Sequence, residues 1–276
     1  MIILLYFGRI FAYGWRRHTF TPIEATLEVL SSRYGLAIRL DQQSRQVSDR
    51  IGFARSVSYD TTPYSEAVVP VSSIRRELGL YPPQYIRSLN LKRIKIVRNL
   101  SESSYGGQIK DIGAIPVIKQ GFLYLNDDGD PLQLIQSIHH ELSHFTDGDI
   151  SPIWGRRKRK EWVELNPKGA AAYKVVPDYI SDRSVEGERP QGFVSLYGTF
   201  SPEEDRAQVA SVLMTMARAP GDYLKRLMER DKVLGAKVLA TIAGIRQRSG
   251  TAIRGTYLED LQSKKVDEDY WDSKTA

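Results

Sequence analysis

The chain has 276 residues, of which 41% are hydrophobic and 26% are charged, and this composition excludes a disordered tail, a collagen-like chain and a small disulfide-crosslinked module. It contains no cysteine, so disulfides, thiolate zinc sites and cysteine nucleophiles are excluded, and any metal must be held by histidines and carboxylates. The formal net charge is +6, from 39 basic and 33 acidic residues, which is too small an excess to indicate an anionic partner by itself.

The N-terminal segment begins with an apolar run over residues 2–7, which Arg9 interrupts. The run is too short to span a membrane. Arg16 and Arg17 follow it, whereas a secretory signal carries its positive charges before the apolar stretch. An N-terminal strand and a degraded signal are equally favoured interpretations, so the localisation stays open.

The first predicted helix begins at a capping box, Thr-Pro-Ile-Glu at residues 21–24, with proline at the first helical position. Its apolar spacing places Leu27, Val29 and Leu30 on the inner face. The helix is expected to end near Gly35, because glycine is common just beyond the last helical residue.

The following part of the chain predicts strands and short helices. Residues 36–40 predict a strand, and the alternating basic and apolar residues from Leu91 predict a half-buried one. The polar stretch 42–68 predicts loop or peripheral structure. Short helices are expected over residues 72–89.

A hairpin and three further helices are predicted in the rest of the chain. Apolar segments at 112–118 and 121–125 predict the hairpin. Helices are expected over 131–145, 201–218 and 222–248, with a loop-rich stretch that ends at Gly198. Because the sheet segments come first and the helices follow, the fold class is predicted to be α+β.

Residues 140–144 form the pattern His-Glu-Leu-Ser-His, or HExxH. A helix places two histidines four residues apart on one face, where they can bind one zinc ion, and the glutamate between them can transfer protons. A chain of this composition would contain the pattern by chance only about 0.002 times. The pattern therefore predicts that His140 and His144 are metal ligands and that Glu141 is a general base.

The phase of the helix supports this interpretation. A helix turns by about 100° per residue, which places His140 and His144 on one side and His139 on another, where it is expected to support the site or the structure. A separate apolar arc contains Leu134, Ile135, Ile138, Leu142 and Phe145. Imidazoles that only filled a core would lie inside that arc, so the phase favours a metal site.

A catalytic zinc needs a third protein ligand. The metzincin extension would place Gly at position 147 and His or Asp at 150, where this chain has Asp and Ile. The helix predicted from Ser201 offers Glu204, which shares a polar face with Gln208. Ser201 and Glu204 also form a capping box, in which Glu204 would only bind backbone amides. Both roles stay open, and the ligand is favoured.

Three segments carry a resemblance to a known family: HHELSHFTDG at 139–148, EWVELNP at 161–167 and GFVSLYGTFSPEEDRAQVA at 192–210. Together they resemble the bacterial zinc-binding metallopeptidases of gluzincin type, whose catalytic domain is similar to that of anthrax lethal factor. The resemblance spans residues 72–216. It implies a zincin-like domain with a small mixed sheet, an HExxH active-site helix and a C-terminal helical portion.

In that family a tyrosine and then a helix with the pattern Glu-x-x-Ala-Glu follow the HExxH motif. The resemblance implies that Glu204 is the third zinc ligand and that Tyr197 donates a hydrogen bond to the oxyanion of the tetrahedral intermediate. Gln208 stands where the pattern has a second glutamate, which orients a ligating imidazole. An amide can accept the same hydrogen bond but polarises the ring less.

These observations predict four parts of the chain. They are an N-terminal helix-strand extension (1–71), a zincin-like catalytic domain (72–218), a C-terminal helical segment (219–262) and a polar tail (263–276).

The predicted function is a zinc-dependent metallopeptidase that hydrolyses peptide bonds through a zinc-activated water. An edge strand near Gly121 to Asn126 would bind the protein or peptide substrate by strand addition. The alternative is a zinc-stabilised binding or structural protein that has lost activity.

Two other motifs predict ordinary surface structure. The basic run over 156–160 lies in a predicted loop without interleaved aromatic residues, so no nucleic-acid partner is expected. The aspartates over 127–130 lack the glutamate that closes an EF-hand loop, so a turn and a helix cap are predicted instead of a calcium site. The oligomeric state is not predicted.

Overall fold

The computed structural model describes residues 22–40, 45–51, 55–104, 107–128, 131–148, 152–167, 173, 190–215 and 223–250. The predicted N-terminal strand or signal and the polar tail after residue 262 lie outside these residues. The described residues combine a mixed β-sheet with packed helices, which confirms the α+β class.

The elements of the first half follow in chain order. They are α1 (Pro22–Tyr34), β1 (Ala37–Arg39), β2 (Gln46–Arg50), β3 (Ser56–Thr61), a 3-10 turn (Tyr64–Glu66), α2 (Val68–Leu78), α3 (Pro83–Ser88), β4 (Arg93–Ser104), β5 (Gly107–Ile109), β6 (Ala114–Val117) and β7 (Phe122–Asn126). The second half contains α4 (Pro131–Gly148), α5 (Pro152–Val163), a 3-10 turn (Tyr197–Thr199), α6 (Pro202–Thr215), α7 (Tyr223–Arg230) and α8 (Lys232–Ser249).

Strand β4 is the centre of the sheet. Its first residues pair in parallel with β1 on one side and with β7 on the other, and its later residues pair antiparallel with β3 and β5. Strand β6 pairs antiparallel with β7, so the predicted hairpin is confirmed. The main strand order among the described residues is β2-β3-β4-β7-β6.

The prediction of loop or peripheral structure for residues 42–68 missed β2, β3 and the start of α2, although β2 does lie at the outer end of the main strand order. Strand β2 alternates exposed and half-buried side chains and has little apolar character of its own. It is held instead by cross-strand contacts, since the Asp49 carboxylate accepts hydrogen bonds from Tyr59, Tyr124 and Lys95. Partners this distant in sequence leave no local signal.

The larger apolar core lies between one face of the sheet and the helices. Ile94 and Ile96 of β4 point into it, together with four residues of α4: Leu134, Ile138, Leu142 and Phe145. A smaller cluster on the opposite face includes Val97 and Tyr124. The prediction for α1 holds for Leu27 and Leu30 but is wrong for Val29, which is 65% exposed, because its position on the helix faces away from the sheet.

The C-terminal part differs from its prediction in two places. The single helix expected over 222–248 is divided at Asp231, which caps α8 by accepting a hydrogen bond from the Leu234 amide at 3.0 Å. The loop-rich stretch before Gly198 contains α5.

The predicted boundary at residues 71 and 72 falls within α2, and β1 to β3 belong to the same sheet as β4. Within the described ranges, none of the helices has the length and apolar character needed to cross a membrane.

Candidate metal centre

Helix α4 carries both histidines of the motif and packs its apolar arc into the core. Leu134, Ile138 and Leu142 are buried, as the helical phase predicts. His140 and His144 lie on another side, one turn apart, with side chains that are 12% and 16% exposed. Their Nε2 atoms are 3.1 Å from each other. The local helix alone therefore brings two imidazole nitrogens together at a partly accessible surface.

Helix α6 brings a carboxylate to the same place. The Ser201 hydroxyl accepts a hydrogen bond from the Glu204 amide at 3.1 Å, so Ser201 caps the first turn. The Glu204 side chain extends toward α4, where Oε2 lies 3.1 Å from His140 Nε2 and Oε1 lies 3.6 Å from His144 Nε2. The cap and the candidate ligand are thus compatible, because the backbone of Glu204 serves one and its carboxylate the other.

The three side chains have the spacing that a zinc ion requires. One ligand atom from each of His140, His144 and Glu204 lies within 4.8 Å of the other two. Zn–N and Zn–O bonds of about 2.0 to 2.2 Å at tetrahedral angles separate neighbouring ligand atoms by about 3.3 Å. The observed separations of 3.1, 3.1 and 3.6 Å lie on both sides of this value. The residues present therefore fit zinc.

The electrostatics of Glu204 are those of an ionised ligand. Burial alone would raise the pKa of Glu204, but hydrogen bonding and attraction from His140 and His144 outweigh burial and hold the pKa well below its usual range. Its Oε2 atom is buried and lies 3.1 Å from His140 Nε2. A buried anionic oxygen beside two imidazole nitrogens is a suitable place for a cation.

Two of the predicted site residues, Gln208 and Tyr197, lie beside His140. The Gln208 amide nitrogen is 3.3 Å from His140 Nδ1, and the Gln208 oxygen accepts a hydrogen bond from the Ser195 hydroxyl at 3.3 Å. The Tyr197 ring centroid is 5.8 Å from that of His140. Glu141, the predicted base, is 8% exposed.

His139 belongs to a buried polar cluster that the sequence does not reveal. Its Nδ1 lies 3.0 Å from the Tyr81 hydroxyl and its Nε2 lies 3.0 Å from Glu77 Oε2. His139 and Glu77 are fully buried, and burial raises the pKa of Tyr81 well above its ordinary value. These bonds join α4 to α2 and to the turn after it, so the expected supporting role of His139 takes the form of an anchor between helices.

The neighbours of Glu204 face other directions. The Glu203 carboxylate lies 3.7 Å from Arg159 at a partly exposed position. Asp205 is fully buried and accepts hydrogen bonds from Trp162 and Lys237. Of the three adjacent acidic residues, Glu204 is therefore the one that reaches the imidazoles, in keeping with a turn of about 100° per residue.

Two predictions about the surroundings of the site need correction. Strand β7, residues 122–126, is not an edge, because it pairs with β4 on one side and β6 on the other; the outermost described strand beside it is β6. The basic run lies on helix α5 and not in a loop. Its side chains form pairs four residues apart, Arg157 with Glu161 and Lys160 with Glu164, which favour a helix.

A cavity of about 550 Å³ lies against another face of α4. Its wall includes His139 and Ser143 from α4, Trp162 from α5 and Ala240 from α8. None of the three candidate ligands lines it. The candidate metal centre is therefore a separate feature at the surface between α4 and α6.

No protein-family model matches the chain, and a search of curated proteins finds no similar sequence. A solved structure, that of a putative zinc-binding metallo-peptidase from Bacteroides caccae, is similar over 92% of this chain and 94% of its own. The sequence identity is 13% and the TM-score is 0.48. The sequence identity and the TM-score are too low to assign a function. Any assignment therefore depends on the side chains of the site.

Proposed function

We propose that His140, His144 and Glu204 bind a zinc ion and that the chain is a zinc-dependent metallopeptidase. The observation that carries the proposal is the convergence of two imidazole nitrogens and a carboxylate from two helices, at separations that suit tetrahedral zinc. Three protein ligands leave one position for water or substrate, as catalytic zinc sites require. A zinc ion bound there would act as a Lewis acid that makes water a stronger nucleophile at neutral pH.

Two residues of the chain would transfer the proton and stabilise the oxyanion. Glu141 accepts a proton from the attacking water and passes it to the leaving amine, for which a mostly buried carboxylate between the two histidines in sequence is suited. Tyr197 donates its hydroxyl proton in a hydrogen bond to the carbonyl oxygen as negative charge develops there. Its ring centroid lies 5.8 Å from that of His140, the imidazole that Gln208 also contacts.

Gln208 can orient His140 despite being an amide. When Nε2 binds a metal, Nδ1 carries the proton and needs an acceptor. Turning the Gln208 amide by 180° exchanges its oxygen and nitrogen, so that the oxygen faces Nδ1 and the nitrogen donates to the Ser195 hydroxyl. Both contacts are within 3.3 Å, so the substitution of Gln for Glu is compatible with metal binding.

Strand β6 is the position we propose for an extended peptide. It packs near α4 and is the outermost strand beside β7 in the described part of the sheet. The Asn126 amide donates to the Gly113 carbonyl. In the antiparallel register, the backbone amide of Ala114 and the backbone carbonyls of Ala114 and Pro116 therefore point away from β7. A substrate strand would pair with the Ala114 amide and with the carbonyls of both residues.

A binding or structural protein is the second candidate function. Gln208 favours it, because an amide polarises the His140 ring less than a carboxylate does. Such a protein would hold zinc at the same three residues and would hydrolyse nothing.

Metal analysis of the purified chain, combined with a cleavage screen of a proteome-derived peptide library, tests both functions. We expect bound zinc and cleavage that a zinc chelator abolishes and added zinc restores. Zinc without cleavage of any peptide would favour the binding protein. A chain that takes up no zinc would contradict both functions.

A further inference from the structure

The fully buried carboxylate of Asp205 lies next to Glu204 in α6 and has three side-chain donors. Its Oδ2 atom accepts hydrogen bonds from Trp162 Nε1 at 2.8 Å, from the Tyr173 hydroxyl at 2.8 Å and from Lys237 Nζ at 2.7 Å. Lys237 belongs to α8 and is also fully buried. Two opposite charges thus meet inside the core, behind the candidate metal centre.

Lys237 also holds the segment that leads to Tyr197. Its Nζ donates to the Gly192 carbonyl at 2.7 Å, while Asp231 accepts from the Gly192 amide at 2.9 Å. Gly192 has a φ of +85°, and a Cβ there would lie 2.4 Å from Val233 Cγ1. Only glycine fits this approach to α8. The segment from 192 onward is therefore tied to α8 before it reaches the site.

The contacts of Lys237 with Asp205 and with the Gly192 carbonyl both lead to residues of the candidate centre. A helix turns by about 100° per residue, so burying Asp205 against Lys237 directs Glu204 toward the imidazoles of α4. The segment tied at Gly192 carries Ser195, which contacts Gln208, and Tyr197, which contacts His140. One ammonium thus contacts the two parts of the chain that complete the site opposite α4.

We propose that Lys237 is a positioning residue of the metal centre: it holds Asp205 and the Gly192 carbonyl, and through them it sets the place of Glu204 and Tyr197. The proposal rests on the proposed function, since it concerns the same three ligands. It also gives a role to the segment EWVELNP, because Trp162 from that segment donates to Asp205. A buried ion pair is a weak source of stability. We therefore expect this pair to affect the positions of the ligands more than the free energy of unfolding.

The test removes both charges at once, because a single change would leave a buried charge without its partner. We compare the zinc affinity of the wild type with that of Asp205→Asn/Lys237→Met at a temperature where both metal-free chains are folded by circular dichroism. The matched control is Asp49→Asn/Lys95→Met, which removes an ion pair on the opposite face of the sheet. We expect the first variant to lose about 10- to 100-fold in zinc affinity, as for partners that orient metal ligands. We expect the control to keep wild-type affinity.

A milder variant covers the case in which the double variant does not fold. Tyr173→Phe removes one donor to Asp205 without changing any charge, and it should lower zinc affinity severalfold with the fold intact. Wild-type affinity in the folded double variant, or in Tyr173→Phe when the double variant does not fold, would overturn the positioning role alone. Absence of zinc binding by the wild type would overturn the proposed function and the positioning role together.

Discussion

Among single residues, Glu141 best separates metal binding from catalysis. We expect Glu141→Gln to retain zinc, because the side chain is not one of the converging ligands. Hydrolysis should fall by at least about 100-fold, since an amide cannot accept the proton of the attacking water. Peptide turnover and metal content measured on the same sample check this, with the exposed Glu161→Gln as control. Unchanged turnover would show that Glu141 is not the base.

Glu204 and Glu203 form a matched pair for testing the third ligand. Glu204→Ala should weaken zinc binding by about 100-fold or more, which exceeds the typical loss for a residue that only orients a ligand. Glu203→Ala should leave zinc affinity unchanged, because its carboxylate lies near Arg159 and not near the imidazoles. Competition with a chromogenic chelator measures both affinities.

A capping role for the Glu204 carboxylate gives a different result. In that case Glu204→Ala would cost about 1 kcal/mol in the free energy of unfolding and leave zinc affinity unchanged.

Tyr197 is expected to act mainly in the transition state. Tyr197→Phe should lower kcat while KM and zinc content stay close to wild type, because the hydrogen bond forms to an oxyanion that the substrate does not yet carry. Steady-state kinetics on one cleaved peptide provide the measurement. A change confined to KM would identify Tyr197 as a substrate-binding residue instead.

At the scale of elements, Asp231 joins α8 to the segment that precedes Tyr197. Its carboxylate caps α8 through the Leu234 amide and accepts a second hydrogen bond from the Gly192 amide. Asp231→Ala should lower the free energy of unfolding by about 2 to 4 kcal/mol, the sum of a lost cap and a buried amide without an acceptor. Asp231→Asn keeps one oxygen for the cap but turns an amide nitrogen toward the Gly192 amide, so it should recover only the cap, about 1 kcal/mol of the loss. Urea unfolding compares the two, and equal losses would argue against the cap.

The elements that were predictable from the sequence are those with a strong local pattern. Helix α4 and the hairpin of β6 and β7 follow from apolar spacing and a turn. Strands β2 and β3 were missed because they depend on contacts between distant residues, whereas the division at Asp231 has a local cap to the Leu234 amide that the apolar periodicity did not reveal. The Asp49 carboxylate, for example, pairs with Tyr124, which lies 75 residues away in sequence.

The candidate site shows the same division. The motif and the helical phase predicted His140, His144 and the side of α6 that faces them. The sequence gives no sign that His139 would meet Glu77, 62 residues away, or that Asp205 would meet Lys237. Buried polar partners are chosen by the tertiary fold, so a single sequence does not reveal them.

For the whole molecule, zinc binding and folding should be coupled, because the ligands join two helices that are distant in sequence. At a free zinc concentration of 100 times the Kd, binding adds about 2.7 kcal/mol to the free energy of unfolding. This corresponds to a rise in Tm of about 5 to 10 °C for a chain of this size. Calorimetry with and without zinc measures the rise, and His140→Ala/His144→Ala should not show it. An equal rise in that variant would place the stabilising zinc elsewhere.

The pairing of Asp205 with Lys237 also has a consequence for synthesis on the ribosome. The two residues lie 32 positions apart, and at 5 to 20 residues per second the second is made about 2 to 6 s after the first. During that interval the nascent chain contains His140, His144 and Glu204 but not the ammonium that Asp205 contacts. If Lys237 positions the ligands as proposed, the metal centre matures only after Lys237 has been added to the chain.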